Sequence, residues 1–256
     1  MCGRYVITSP PAAIREVFGY ADQPNFPARY NIAPTQPIPV VIVEQGARHF
    51  RLMRWGFLPA WVKDPRNFTL LINARAETAR DKPAFRNAIK RRRCLIPADG
   101  YYEWHTSQGE KHPYFIAPRH GGPIGFAGLA ETWTGPNGEE LDTVAIMTTA
   151  ASPELAVLHH RVPVVIGPQD FARWLDCVEV DVDEAMALLV APREGDFVWH
   201  RVSRAVNRVA NDDAQLILPI TDAQIAAEAP PPKPEKKAAP RKPSASSNDR
   251  GQGSLF

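Results

Sequence analysis

The stretch IPVVIVEQGARHFRLMRW, residues 38–55, decides the fold class. Two strand-forming limbs, 38–44 and 49–55, flank Gln45-Gly46-Ala47, and strand runs separated by a short Gly-containing connection predict a β-hairpin. Working outward, further strands are expected over 94–96, 101–105, 114–117, 124–129, 143–149, 162–166 and 198–202. Helices are fewer and short, over 12–18, 83–92 (with Pro83 near its first position), 168–176 and 183–189. Strand-rich runs with interspersed short helices predict an α+β fold, a single domain around a curved, mainly antiparallel β-sheet with short peripheral helices.

That domain is expected over residues 1–226. From 227 to 256 the chain turns Pro-, Ala-, Ser- and Lys-rich without apolar periodicity, the composition of a disordered tail. The chain has 256 residues, is 44% hydrophobic and carries a net charge of +2. Residues 231–250 hold six Lys/Arg against two Asp/Glu, so the remainder sums to about −2. Bulk charge therefore gives no argument for a nucleic-acid partner, and any such argument rests on local clusters. No apolar run is long enough to span a membrane, and no secretory signal pattern opens the chain. Three widely spaced cysteines, Cys2, Cys94 and Cys177, form neither a disulfide framework nor a metal motif. A reducing cytoplasm is expected, with no membrane association, no metal and no cofactor.

The chemistry concentrates at Met1-Cys2-Gly3-Arg4. Removal of Met1, by an aminopeptidase or by the protein itself, would leave an α-amine and a thiol on adjacent carbons. Their ordinary pKa values, about 7.7–8.0 and 8.5, keep both partly nucleophilic near neutral pH. Such a 1,2-aminothiol captures an aldehyde first as an imine and then as a five-membered thiazolidine. Arg4 adds a permanent cation two residues away. The competing reading is a buried cysteine acting as a small hydrophobe.

Four other stretches carry polar chemistry. If the apolar run 68–72 is a strand, Asn73, Arg75 and Glu77 fall on one side of it, lining a pocket or forming a solvated face. Glu103 lies within Gly100-Tyr101-Tyr102-Glu103-Trp104; apolar surroundings raise a carboxyl pKa and suit it to proton transfer. Beside it Trp104 offers a flat face for a base. His159-His160-Arg161 precedes a strand, and imidazole exchanges protons near pH 7. Zinc is disfavoured, because adjacent histidines in an extended chain point to opposite sides. Trp55 and Trp61 are either core or, with Trp104, a stacking surface for unpaired bases. The run Lys90-Arg91-Arg92-Arg93 either caps a helix dipole or contacts phosphates. Asn31, in a turn, is placed to orient groups near the amino end.

Read together and in order, M-C-G-R-Y, N-I-A-P-T, W-G-F-L-P-x-W, N-A-R-A-E-T, G-Y-Y-E-W and H-H-R-V-P resemble the SRAP family, the SOS response-associated peptidase-like proteins that act on abasic sites. The resemblance covers roughly residues 2–220. Where the family reads H-x-R-M-P, this chain has Val162 for Met; His159 is the registered histidine and His160 fills a variable position. The resemblance implies a nucleoid-associated sensor that bonds covalently to abasic sites in single-stranded DNA, a crosslinking, lyase-type activity. It implies Cys2, Asn73, Glu103 and His159 as catalytic residues. Arg4, Arg75, Arg161, Trp104, Trp55 and Trp61 are then expected to contact DNA. The peptidase label fits self-removal of Met1. Two rivals share the opening Cys-Gly or the aromatic patches: an amino-terminal-cysteine glutamine amidotransferase, and a non-covalent single-stranded DNA binder. The final residues, Gln252-Gly253-Ser254-Leu255-Phe256, resemble a bacterial sliding-clamp-binding pentapeptide, with Gln252, Leu255 and Phe256 as anchors and Gly253 in place of Leu.

Overall fold

A computed structural model describes residues 2–228 of the chain. Residues 229–256 lie outside the described residues, and with them the expected clamp anchors Gln252, Leu255 and Phe256. The helix Asp222–Glu228 runs across the expected 226/227 boundary.

Among the described residues, thirteen strands form two sheets. In chain order they are β1 (Tyr5–Ile7), β2 (Arg29–Ile32), β3 (Pro37–Glu44), β4 (Ala47–Trp55), β5 (Asn73–Arg75), β6 (Arg93–Ala98), β7 (Gly100–Ser107), β8 (Glu110–Pro118), β9 (Ile124–Thr134), β10 (Glu140–Ala150), β11 (Arg161–Pro163), β12 (Val165–Ile166) and β13 (Phe197–Arg201). The hairpin predicted at 38–55 is β3–β4, paired from Pro37↔Arg54 to Glu44↔Ala47. Its connection is two residues, Gln45 at φ 51° and Gly46 at φ 80°. Positive φ at both central positions matches the right-handed twist of the flanking strands, which the commoner turns would splay. Gln108 (φ 52°) and Gly109 (φ 79°) repeat the device between β7 and β8.

The larger sheet runs β11-β10-β4-β3-β6-β9-β12, with β5 beside β10. Because β9 also pairs with β10, from Glu140↔Thr134 to Ile146↔Gly128, strands β10, β4, β3, β6 and β9 close on themselves as a five-strand barrel. Closure leaves these strands no free edge within the ring. The side chains that these strands bury include Val40, Leu95, Phe126, Leu129, Val144 and Ile146, all fully buried. The smaller sheet, β13-β8-β7-β1-β2, holds β1 between β7 and β2. The fold is therefore α+β, mainly antiparallel, with short peripheral helices, the longest at the amino end being Pro11–Phe18.

Two expectations need correction. The run 68–72 is not a strand: pairing as a strand begins only at Asn73, where β10 offers a parallel partner, and Leu70 stays 42% exposed. The chain then turns helical over Ala76–Ala79, so Glu77 does not continue the face begun by Asn73 and Arg75. The helix predicted over 83–92 shortens to Ala88–Arg91.

Arg93 is not a surface cation. It is 2% exposed and donates to the carbonyls of Trp174 (2.7 Å), Ile89 (3.0 Å), Val180 (2.9 Å) and Asp176. Its guanidinium carbon also lies 5.8 Å from the centre of the Trp174 ring. One side chain thus ties the helix Phe171–Leu175 and the segment after it to the start of β6.

Candidate active site at the amino end

Cys2 is fully buried three residues before β1 enters the middle of the smaller sheet at Tyr5. Register fixes what stands beside it. Tyr5 pairs with Tyr101, and the Arg4 carbonyl accepts from the Tyr102 N–H at 3.0 Å. Continuing that antiparallel ladder brings Glu103 of β7 alongside the residues just before β1. From the larger sheet, Asn73 Nδ2 donates to the Cys2 carbonyl at 2.9 Å. The two sheets therefore meet at Cys2.

Glu103 is 3% exposed. Burial raises its carboxyl pKa, against the opposing pull of the positive amino terminus. Burial also pushes the Cys2 thiol up, and the Glu103 charge adds to that rise. Half-buried His159 sits just before β11 with Nδ1 turned to the backbone of Arg161, 2.9 Å from its N and 3.2 Å from its carbonyl oxygen. The same residue thus serves both neutral tautomers: its N–H donates to a bare Nδ1, or its carbonyl accepts from Nδ1–H. Imidazole in either tautomer can exchange protons near neutral pH. Burial lowers the basicity of His159, and the positive charge at the amino terminus lowers it further. Glu103 and His159 thus feel one and the same charge at the amino end of the chain.

Other expected residues divide. Arg4 Nη1 donates to Asn31 Oδ1 (2.8 Å) and to the Val206 carbonyl (2.9 Å). Asn31 is fully buried and its Nδ2 is held by the carbonyls of Val206, Arg208 and Asn211, so it fixes the course of Arg4. Arg75 is exposed. Trp104 is partly exposed and its indole N–H donates to Asn207 Oδ1 at 2.8 Å. Trp61 is 59% exposed, edge-on to Phe68. Trp55 is not a stacking surface: it is fully buried, and its indole N–H donates to the Ile72 carbonyl at 2.9 Å. Arg161 is 8% exposed and committed to Glu77 (2.6 and 2.9 Å) and the Thr148 carbonyl (2.6 Å), so it braces the approach to His159 rather than offering a free cation. Sequence reading missed the support from Val206 and Asn207. Val206 stands 202 residues from Arg4, and no local pattern marks a carbonyl as an acceptor.

Glu103→Gln has an expected signature. A buried acid with a raised folded-state pKa stabilises the fold below its unfolded pKa, and that contribution is lost as pH rises through the folded value. Gln cannot ionise. The variant is therefore expected to melt at a higher temperature than wild type at pH 8, with the gap closing toward pH 5, as thermal unfolding across that range would record.

The arrangement is a barrel protein with a cysteine-centred site at its amino end, framed by an amide, a carboxyl and an imidazole. A family model described as SOS response associated peptidase (SRAP) matches residues 1–209. The abasic site processing protein YoqW of Bacillus subtilis is 34% identical over 221 residues, spanning 85% of this chain and 99% of YoqW. The abasic site processing protein YedK of Escherichia coli is 34% identical over 194 residues, 75% of this chain and 85% of YedK. A crystal structure of a Bacteroides thetaiotaomicron protein superposes with a TM-score of 0.79 at 22% identity, covering 86% of this chain and all of that one, a likeness of fold. The chain belongs to the SRAP family. Among the described residues, no helix is long and apolar enough to cross a membrane.

Proposed function

We propose that this protein captures abasic sites in single-stranded DNA as a covalent thiazolidine on Cys2, after hydrolysis of the Met1–Cys2 bond. The observation that carries the reading is the Asn73 amide on the Cys2 carbonyl at 2.9 Å, which fixes the first backbone unit of the mature chain beside buried Glu103. The relatives' names support abasic DNA as the substrate.

The steps balance without a cofactor. Neutral His159 takes the proton of the sugar C1 hydroxyl through Nε2 and returns it to the ring oxygen, opening the ring to its aldehyde. The Cys2 amine adds to that carbon and, with Glu103 moving protons, water leaves and an imine forms. The Cys2 sulfur then adds across the C=N bond; a C–S bond forms and the thiol proton passes to nitrogen. Arg4 and Arg75 would meet flanking phosphates, and Trp104 and Trp61 neighbouring bases. The duplex is a poor substrate because stacking and pairing close off the sugar. Uracil-containing single-stranded DNA, treated with a uracil glycosylase, supplies the lesion. A denaturation-resistant shifted band is the expected product, and intact mass reports whether Met1 is gone.

The terminal Gln252, Leu255 and Phe256 support a tether to the replication clamp, which would raise the local concentration at forks. Clamp recovered by full-length protein but not by a chain lacking the last five residues is the expected pull-down result; equal recovery removes this partner.

A further inference from the structure

His159 and His160 are stacked. Their ring centroids are 4.3 Å apart with planes at 25°, not on opposite sides as an extended chain would place them. The reason is local: the His159 N–H closes onto the Leu155 carbonyl at 3.2 Å, and the chain bends at His160 before β11 begins. His160 is exposed and His159 is half-buried, so the outer ring of the pair meets solvent and the inner one meets the site.

We infer that His160 is a positioning residue for the reaction, holding His159 uncharged by laying a second protonatable ring flat against it. The inference rests on the relay role given to His159 above. Two imidazolium rings in van der Waals contact repel strongly, because at about 4 Å neither water nor salt screens the pair fully. A proton on the outer ring therefore opposes one on the inner ring. The other charged groups facing His159 do not replace this effect. The Arg161 guanidinium from β11 is paired with Glu77 of the helix Ala76–Ala79, yet still lowers the basicity of His159. The positive amino terminus also acts on His159, but that charge is the amine of Met1, which the proposed reaction removes. Burial and the Arg161 charge also oppose protonation of His159, and His160 adds to them through the whole cycle.

The test uses full-length protein with labelled histidines. His160→Phe keeps a flat ring without a charge, and His160→Gln serves as a second uncharged variant. NMR titration reports the midpoint of His159, and the rate of adduct formation on abasic single-stranded DNA is followed from pH 5 to 8.5. Both variants are expected to raise the His159 midpoint by about 0.5–1 pH unit. The acid limb of the rate should rise by the same amount, with the rate above pH 8 nearly unchanged. An unmoved His159 midpoint in both variants overturns the inference. A raised midpoint with an unmoved acid limb keeps the pairing but removes His159 as the proton relay, so the two failures are distinguishable.

Discussion

Cys2→Ala protein is expected to give no denaturation-resistant band with abasic single-stranded DNA, a loss of roughly 1,000-fold or more, as when the nucleophile of a concerted site is removed. The size follows from the chemistry. Alanine retains the α-amine, so an imine can form, but an imine hydrolyses on heating and only ring closure by sulfur makes the adduct durable. Cys2→Ser should behave alike, because a hydroxyl is a far weaker nucleophile than a thiol. Borohydride added before denaturation should restore a band in both variants, since reduction converts the transient imine to a stable amine. A heat-stable band at wild-type yield in Cys2→Ala, without borohydride, would sink the thiazolidine.

Arg93→Met carries the largest expected loss of stability. The substitution keeps an apolar stem of similar length and removes every donor to the carbonyls of Ile89, Trp174, Asp176 and Val180. Buried carbonyls left without partners cost about 1–3 kcal/mol each before relaxation. With partial collapse the net loss is roughly 3–5 kcal/mol, or about 10 °C in melting temperature for a domain of this size. Urea and thermal unfolding would both read it. Arg93→Lys should recover only part, because an ammonium cannot span four acceptors arranged around a planar fork. A change under 1 kcal/mol would mean that the four carbonyls find water instead.

Much of the fold was legible because its signals are local. The β3–β4 hairpin announces itself through β-branched residues and a Gln-Gly turn whose positive φ values only a few residues accept. Barrel closure was not legible, since the β9–β10 pairing depends on the curvature of three other strands. In the site, Cys2, Asn73 and Glu103 could be singled out because polar groups among apolar neighbours stand out in one dimension. Trp55 and Arg161, expected to contact DNA, are buried and bonded within their own chain, and one reason covers both. An indole or a guanidinium carries the same sequence signal whether its N–H groups face a nucleic acid or a carbonyl of its own chain. Here Ile72 takes the indole N–H, while Glu77 and Thr148 take the guanidinium. The two histidines show a similar limit: a bend at one residue turned an expected opposition into a stack.

Strand β1 lies between two neighbours rather than at a margin, and this bears on how a finished adduct would be dismantled. Interior strands are released only in the rarest openings of a native protein, near the full cost of unfolding. DNA joined at Cys2 would hang from the most securely moored end of the molecule, so a processive protease clearing the conjugate could not simply pull that end free. It would have to start elsewhere and unravel nearly the whole domain before the last few residues came away with the strand.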